Sequence, residues 1–262
     1  MNTDQRLFLL VLLGSICAAT TQAAMLSVRV TVENLSPTQG MYLSSVWGGF
    51  HDGTFDYFDA GSAVSSDLEA LAEDGNFSPI MGTFTGSSGT YTQGMTAFPP
   101  PQAPGETRSF DVMLDDTMMT YFSYAAMAVP SNDAFIGNDS GMAFQVIDDM
   151  GNFMALDFTI AGATGIWDAG TEVNDEVPMN TAFLGQMTPN TGDDQNSVVA
   201  IHSGHMPGGN ILMNSMFTNA DFKQGGFNMA RITVTEVPEP ETYAAFAGVL
   251  SLGMVLWRRR RS

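Results

Sequence analysis

From Leu26 to Glu33 the chain alternates strictly: Leu26, Val28, Val30 and Val32 share one face, and Ser27, Arg29, Thr31 and Glu33 share the other. A period of two puts successive side chains on opposite sides of an extended backbone, so this segment reads as a half-buried antiparallel strand. Asn34 to Gly40 ends it with turn formers. Phe110, Val112 and Leu114 alternate likewise after Pro104-Gly105-Glu106, and Tyr121 to Val129 is a longer apolar run stopped by Pro130. Ser197 to His202 and Ala230 to Glu236 read as two further strands. Arg231 to Thr235 mirrors the first segment, as if the two ends of the domain pair in one sheet.

One helix interrupts this pattern. Ser66-Asp67-Leu68-Glu69 has the spacing of a capping box, Ala70 to Asp74 continues it, and Gly75 stops it. At two to three turns it is an insertion between strands. Segments 82–99 and 184–196, rich in Gly, Thr and Ser or in Asn and Asp, are expected to be exposed loops. With 27 glycines, 12 prolines and one lysine, the chain suits a single all-β sandwich or barrel better than a helical bundle.

The ends stand apart from that domain. Leu7 to Ile16 is an apolar run, followed by the small residues Ala18-Ala19 and Ala23-Ala24. This is the pattern of a secretion signal over 1–23, cut by signal peptidase, because the run is too short to span a bilayer. At the other end, Val237-Pro238-Glu239-Pro240-Glu241-Thr242 precedes a mostly apolar stretch from Tyr243 to Trp257, then Arg258, Arg259, Arg260 and Arg261. As a helix, that transmembrane segment 243–257 spans about 22 Å, with the arginines holding its end on the cytoplasmic side. Pro238-Glu239-Pro240, a short span and a terminal arginine cluster together resemble the PEP-CTERM sorting signal of Gram-negative bacteria. The resemblance, over 237–262, implies cleavage near Pro-Glu-Pro by a membrane-embedded exosortase and a protein of the cell envelope or exterior, anchored only transiently in the inner membrane.

Between residues 24 and 237 the chain keeps four basic residues (Arg29, Arg108, Lys223, Arg231) against 25 acidic ones, a net of −21. Such a surface repels phosphate backbones, which argues against nucleic-acid binding, and attracts cations. The acidity also serves solubility. The single cysteine, Cys17, lies in the leader, so the processed domain has no disulfide and rests on its core or a bound metal. As a lipid-attachment site, Cys17 is disfavoured by the bulky Ile16 before it.

Enzyme signatures are missing: there is no nucleophile elbow, phosphate-binding loop or His-Glu-x-x-His. His51 stands alone before Asp52, and a hydrolase built on His51 or His202 with nearby acids is the weakest reading. His202 and His205 form a His-x-x-His around Gly204, two imidazoles without the third ligand zinc needs. The acidic turns are more promising. Asp133 follows the apolar run in Pro130-Ser131-Asn132-Asp133, where a loop is expected to begin, and Trp167-Asp168-Ala169-Gly170-Thr171-Glu172 places two carboxylates four apart around a glycine. Calcium takes six to eight oxygens, which such loops supply, and Gly170 frees the backbone to turn so that Asp168 and Glu172 converge. Solvated turn acids capping their own backbone are the plainer alternative.

His51-Asp52-Gly53-Thr54-Phe55-Asp56, Leu68 to Gly75 with Ser78-Pro79, Pro130 to Phe135 and Trp167 to Glu172 resemble, in that order, the spondin N-terminal domain. The similarity runs from about Leu26 to Thr235, in a domain spanning 24–236. It implies an antiparallel β-sandwich like the C2 membrane-binding domains, with calcium in its loops. The family's ligands are an aspartate in the Pro-x-x-Asp turn and two in the Trp-Asp-Ala-Gly-Thr-Asp turn, which fall on Asp133, Asp168 and Glu172. Glu172 departs from aspartate: it keeps the charge but reaches one methylene further. The expectation is therefore a non-enzymatic, calcium-binding adhesion or extracellular-matrix module, with polysaccharide or a cell-surface ligand as partner. A structural biofilm or matrix component without a specific ligand is the alternative.

Overall fold

The computed structural model describes residues 25–86 and 101–238. The leader, Glu239, Pro240, the apolar stretch 243–257 and the arginines 258–261 lie outside the described residues. Among the described residues, no helix is long and apolar enough to cross a membrane.

Ten strands run in chain order: β1 (Met25–Asn34), β2 (Tyr42–Leu43), β3 (Trp47–His51), β4 (Thr107–Asp115), β5 (Tyr121–Val129), β6 (Ala134–Gly137), β7 (Leu156–Ala161), β8 (Trp167–Asp168), β9 (Ala200–Ile201) and β10 (Asn228–Glu236). They form two antiparallel sheets. One has the order β4-β1-β10-β7; the other has β2-β5-β6-β8-β9, with β3 also paired to β5. Three short helices complete the described elements: α1 (Ser66–Asp74), α2 (Ser78–Gly86) and α3 (Gly162–Gly165). The protein is an all-β sandwich.

The expected pairing of the first and last strands is present, with Val30 opposite Val234 and Val32 opposite Ile232. Val28, Val30 and Val32 point inward with Ile232 and Val234, against Phe50, Phe122 and Tyr124 of the other sheet. Each such buried aliphatic side chain contributes about 1.5–3 kcal/mol of transfer free energy. On the outer face Arg29 makes a two-point contact with Asp111 and Arg231 one with Asp157.

The second sheet is covered on both faces, which explains why β5 is continuously apolar rather than alternating. Phe122, Tyr124, Ala126 and Ala128 face the first sheet. Ala125, with Trp47 and Phe135, faces a second cluster made by Leu68, Leu71 and Ala72 of α1 and Ile80 and Phe84 of α2. Helices thus form a third layer over the sheet that carries the acidic turns.

Several sequence expectations need correction. The cap of α1 is Ser65, whose hydroxyl accepts from the Leu68 N–H, not Ser66, so Glu69 falls outside the capping box. Gly75 does end the helix, in the left-handed conformation (φ 66°), its N–H returning to Leu71. The start of segment 82–99 belongs to α2, because burying Ile80 and Phe84 four residues apart outweighs the poor helix propensity of its Gly and Thr. Of Ser197 to His202 only β9 is strand. Residues 184–196 form no strand or helix and are mostly exposed, as expected.

Candidate functional site

Asp133 ends the tight link between β5 and β6. Ser131 shapes that link, its hydroxyl donating to the Ala128 carbonyl and accepting the Ala134 N–H. β6 pairs with β8 through Ala134 and Asp168, and the Asp133 carbonyl accepts the Ala169 N–H, so the two acidic turns lie side by side. Asp133 is therefore not at the start of an open loop. It is fully buried between strands.

After β8 the chain turns at Gly170 (φ 72°), where a Cβ would press on the backbone of Ser197 and Val198. That turn aims two N–H groups at one carboxylate: Oδ2 of Asp133 accepts from Thr171 N at 2.9 Å and from Glu172 N at 3.1 Å. The Thr171 hydroxyl adds a longer contact at 3.3 Å. Glu172 is nearly buried, and its Oε1 accepts from the Asn132 amide at 3.2 Å. Asp168 is held differently, Oδ1 by the Gly170 N–H and Oδ2 by the Asn174 amide, both at 2.8 Å.

Asp133 Oδ1 and Glu172 Oε2 are buried without a hydrogen-bond partner. An orphaned carboxylate oxygen in a dry site is costly unless a proton or a cation meets it. Burial, and then the charge of Asp168, raise the Asp133 pKa to about 6. Burial raises Glu172 to about 8, with Glu73, Asp133 and Asp175 adding repulsion. Asp168 is also raised, mainly by burial. The ion pairs of the described residues lie elsewhere. Arg29 serves Asp111, Arg108 serves Glu106 and Arg231 serves Asp157, while Lys223 donates to the Ala163 carbonyl.

Of the three expected ligands, the fold brings Asp133 and Glu172 into one hydrogen-bonded unit and seats Asp168 beside Asp133 with both oxygens engaged. Among the described residues, no three His, Cys, Asp or Glu side chains stand close enough together to hold a metal ion. Each engaged oxygen of Asp168 retains a second lone pair.

Sequence reasoning missed Glu73 and Asn132. Glu73 reaches the site from α1 and is only 6% exposed. Burial raises its pKa to about 7, a hydrogen bond with Thr171 opposes the shift, and the charges of Glu69 and Asp133 add to it. The available signal was Glu69 and Glu73 four apart on one helix flank with no base in the last turn, a like-charge pair that disfavours the helix unless a cation joins it. Two open clefts of about 220 Å³ each flank Glu69. One is lined by Thr171, Asp194 and Asn196, the other by Glu73, Asp74 and Asn190.

The histidines are not placed to bind a cation together. His202 Nδ1 accepts the Gly204 N–H, and Nε2 stands 3.0 Å from Asn174 Oδ1, so both ring nitrogens are committed. His205 packs its ring on Phe222, with Nε2 3.1 Å from the Met41 sulfur. His51 is fully buried, between the Ser123 hydroxyl and the Gly53 N–H. Burial lowers His51 and His202 to about 4 and His205 to about 3.

The chain matches no protein-family model and no curated protein.

Proposed function

We propose that the protein is an exported, non-enzymatic module that binds calcium between the β5–β6 link and the turn after β8. Asp133, Asp168 and Glu172 hold the ion, and the loops it fixes form an adhesive or matrix-binding surface toward polysaccharide or a cell-surface ligand. The single observation that carries this reading is the pair of buried, unpartnered oxygens, Asp133 Oδ1 and Glu172 Oε2, in a site that no basic side chain among the described residues pairs with. A hard divalent cation with oxygen preference answers both the charge and the vacant lone pairs. The resemblance to spondin N-terminal domains supports the same residues. Export and release rest on the leader and on the tail with Pro238, Glu239 and Pro240, cut by an exosortase.

Calcium titration of the full chain in mild detergent, by calorimetry and by thermal melting, tests the reading. Binding with a rise in melting temperature is expected, and D133N should remove most of it, since an anionic ligand is lost. Absence of both heat and thermal shift in the unaltered protein would sink it. Retention of cells or polysaccharide in a pull-down, abolished by chelation, tests the adhesive role.

A further inference from the structure

We propose that the cleft between the edge of β7 and the second sheet is a subsite for a neutral sugar ring, the point at which the domain holds a polysaccharide. The inference rests on the adhesive reading above and names its ligand class. About 370 Å³ of space opens there, bordered on the second sheet by Tyr124 of β5 and Gly137 of β6, with Phe144 beside them. From the first sheet β7 contributes Phe158, Thr159, Ile160 and Ala161 in succession. Side chains of a strand alternate in direction, so four consecutive lining residues mean that the backbone edge of β7, not one of its faces, borders the cleft. β7 is the last strand of its sheet, paired to β10, and this edge carries the N–H and carbonyl groups that β10 leaves unpaired. Trp167, its indole N–H fixed on the Gly137 carbonyl at 3.2 Å, also lines the cleft, and the next residue along β8 is Asp168 of the acidic turn.

The aromatic lining is set before anything binds. Phe144 and Phe158 stack with centroids 4.1 Å apart, and Tyr124 leans on them at 5.9 and 5.6 Å. Such rings take the C–H faces of a sugar as they take other apolar surface, and a preset wall spares the cost of ordering it. None of the lining residues is charged, and the domain around them is strongly acidic, so an anionic sugar is repelled. Tyr124 adds the decisive polar group. It is only 4% exposed, and its backbone is engaged, the N–H by the Asn138 side chain and the carbonyl by the Tyr57 hydroxyl. Its own hydroxyl meets no partner among the described residues, and burial raises its pKa with no hydrogen bond opposing the shift. A buried hydroxyl without a partner is costly, and a sugar hydroxyl answers it as donor or acceptor. The Thr159 and Thr164 hydroxyls and the free edge of β7 offer more of both along the same cleft. An acyl chain would suit the rings but leave each of these polar groups unpaired.

The test measures binding of neutral polymers (dextran, galactomannan and a mixed-linkage β-glucan) and of anionic alginate to the full chain, held in a detergent without a sugar headgroup. Calorimetry reads affinity for the unaltered protein, Y124F and T164W, and thermal melting reads their folding. A neutral polymer should bind, and alginate should not. Y124F should melt as the parent does, because its hydroxyl holds nothing in the protein, yet bind that polymer about five-fold or more weakly. Thr164 is exposed on the rim, so T164W should fill the cleft and abolish binding without unfolding the chain. It keeps the test decisive if Y124F does not fold. A neutral polymer held equally by all of these proteins would overturn the proposal and leave the adhesive reading standing. Preference for alginate would overturn the neutral class. If the unaltered protein binds no polysaccharide, with or without calcium, the polysaccharide partner itself falls and the cleft falls with it.

Discussion

The side-chain amide of Asn174 donates to Oδ2 of Asp168 at 2.8 Å, which fixes the orientation of the amide and turns its oxygen toward His202. Because the Gly204 N–H occupies Nδ1 of His202, the proton of this imidazole is on Nε2 and is donated to Asn174. One asparagine thus joins an acidic turn to a buried histidine.

Asn174→Ala leaves the Asp168 oxygen and the His202 N–H unpaired together, so a loss of about 1–3 kcal/mol in stability is expected, or more if both orphans stay dry. Denaturant unfolding of the variant measures it. A variant as stable as the parent would mean that water replaces the amide freely.

Gly192 covers Glu172: its backbone adopts φ 144°, and an added Cβ would overlap Oε1. Gly192→Ala should displace that carboxylate, costing about 1–3 kcal/mol through strain and overpacking. The calcium-induced rise in melting temperature should shrink in the same variant. Loss of stability with a full calcium response would separate the cover from the site.

Stability should depend on pH in two opposing ways. Burial raises the pKa of Glu73 to about 7 and of Glu172 to about 8, so the folded chain holds protons that the unfolded chain has released. Their contribution is present at low pH and is lost as pH rises through those values. The buried histidines act the other way: lowered to about 4 or 3, they cost stability as pH falls below 6.5. Above pH 6.5 only the carboxylates remain. With chelator, the melting temperature should therefore fall between pH 6.5 and 8, and calcium should remove that fall by replacing the protons. Melting scans across this window, with and without the ion, check both statements.

Leu71 anchors α1 in the second core cluster and is fully buried. Leu71→Ala should cost about 2–5 kcal/mol by denaturant unfolding. A smaller cost would show that α1 is not bound to the sheet by its apolar face.

The pairing of β1 with β10 was legible because both strands alternate over a half-exposed sheet, where the period of two survives in the sequence. The second sheet lost that signature: with Phe122 and Tyr124 turned to one core and Ala125 to the other, β5 is apolar throughout. Strands as short as β2 and β8 leave no period to find. α2 was hidden because its reason for being helical, the seat of Ile80 and Phe84 beside Trp47, lies in distant residues. Asp133 and the Gly170 turn could be picked out since local chemistry sets them. Glu73 reaches the same place only after the helical layer docks, and its spacing to Glu69 was the sole local hint.

The antiparallel partnership of β1 and β10 places Val28 opposite Glu236, with the Val237 N–H returning to the Ser27 carbonyl. The start of β1 and the end of β10 therefore lie at one pole of the sandwich. Tension applied between those two attachment points would peel the pair open one rung at a time, like a zip. Load carried from either attachment to a far surface would instead be shared across many rungs in parallel.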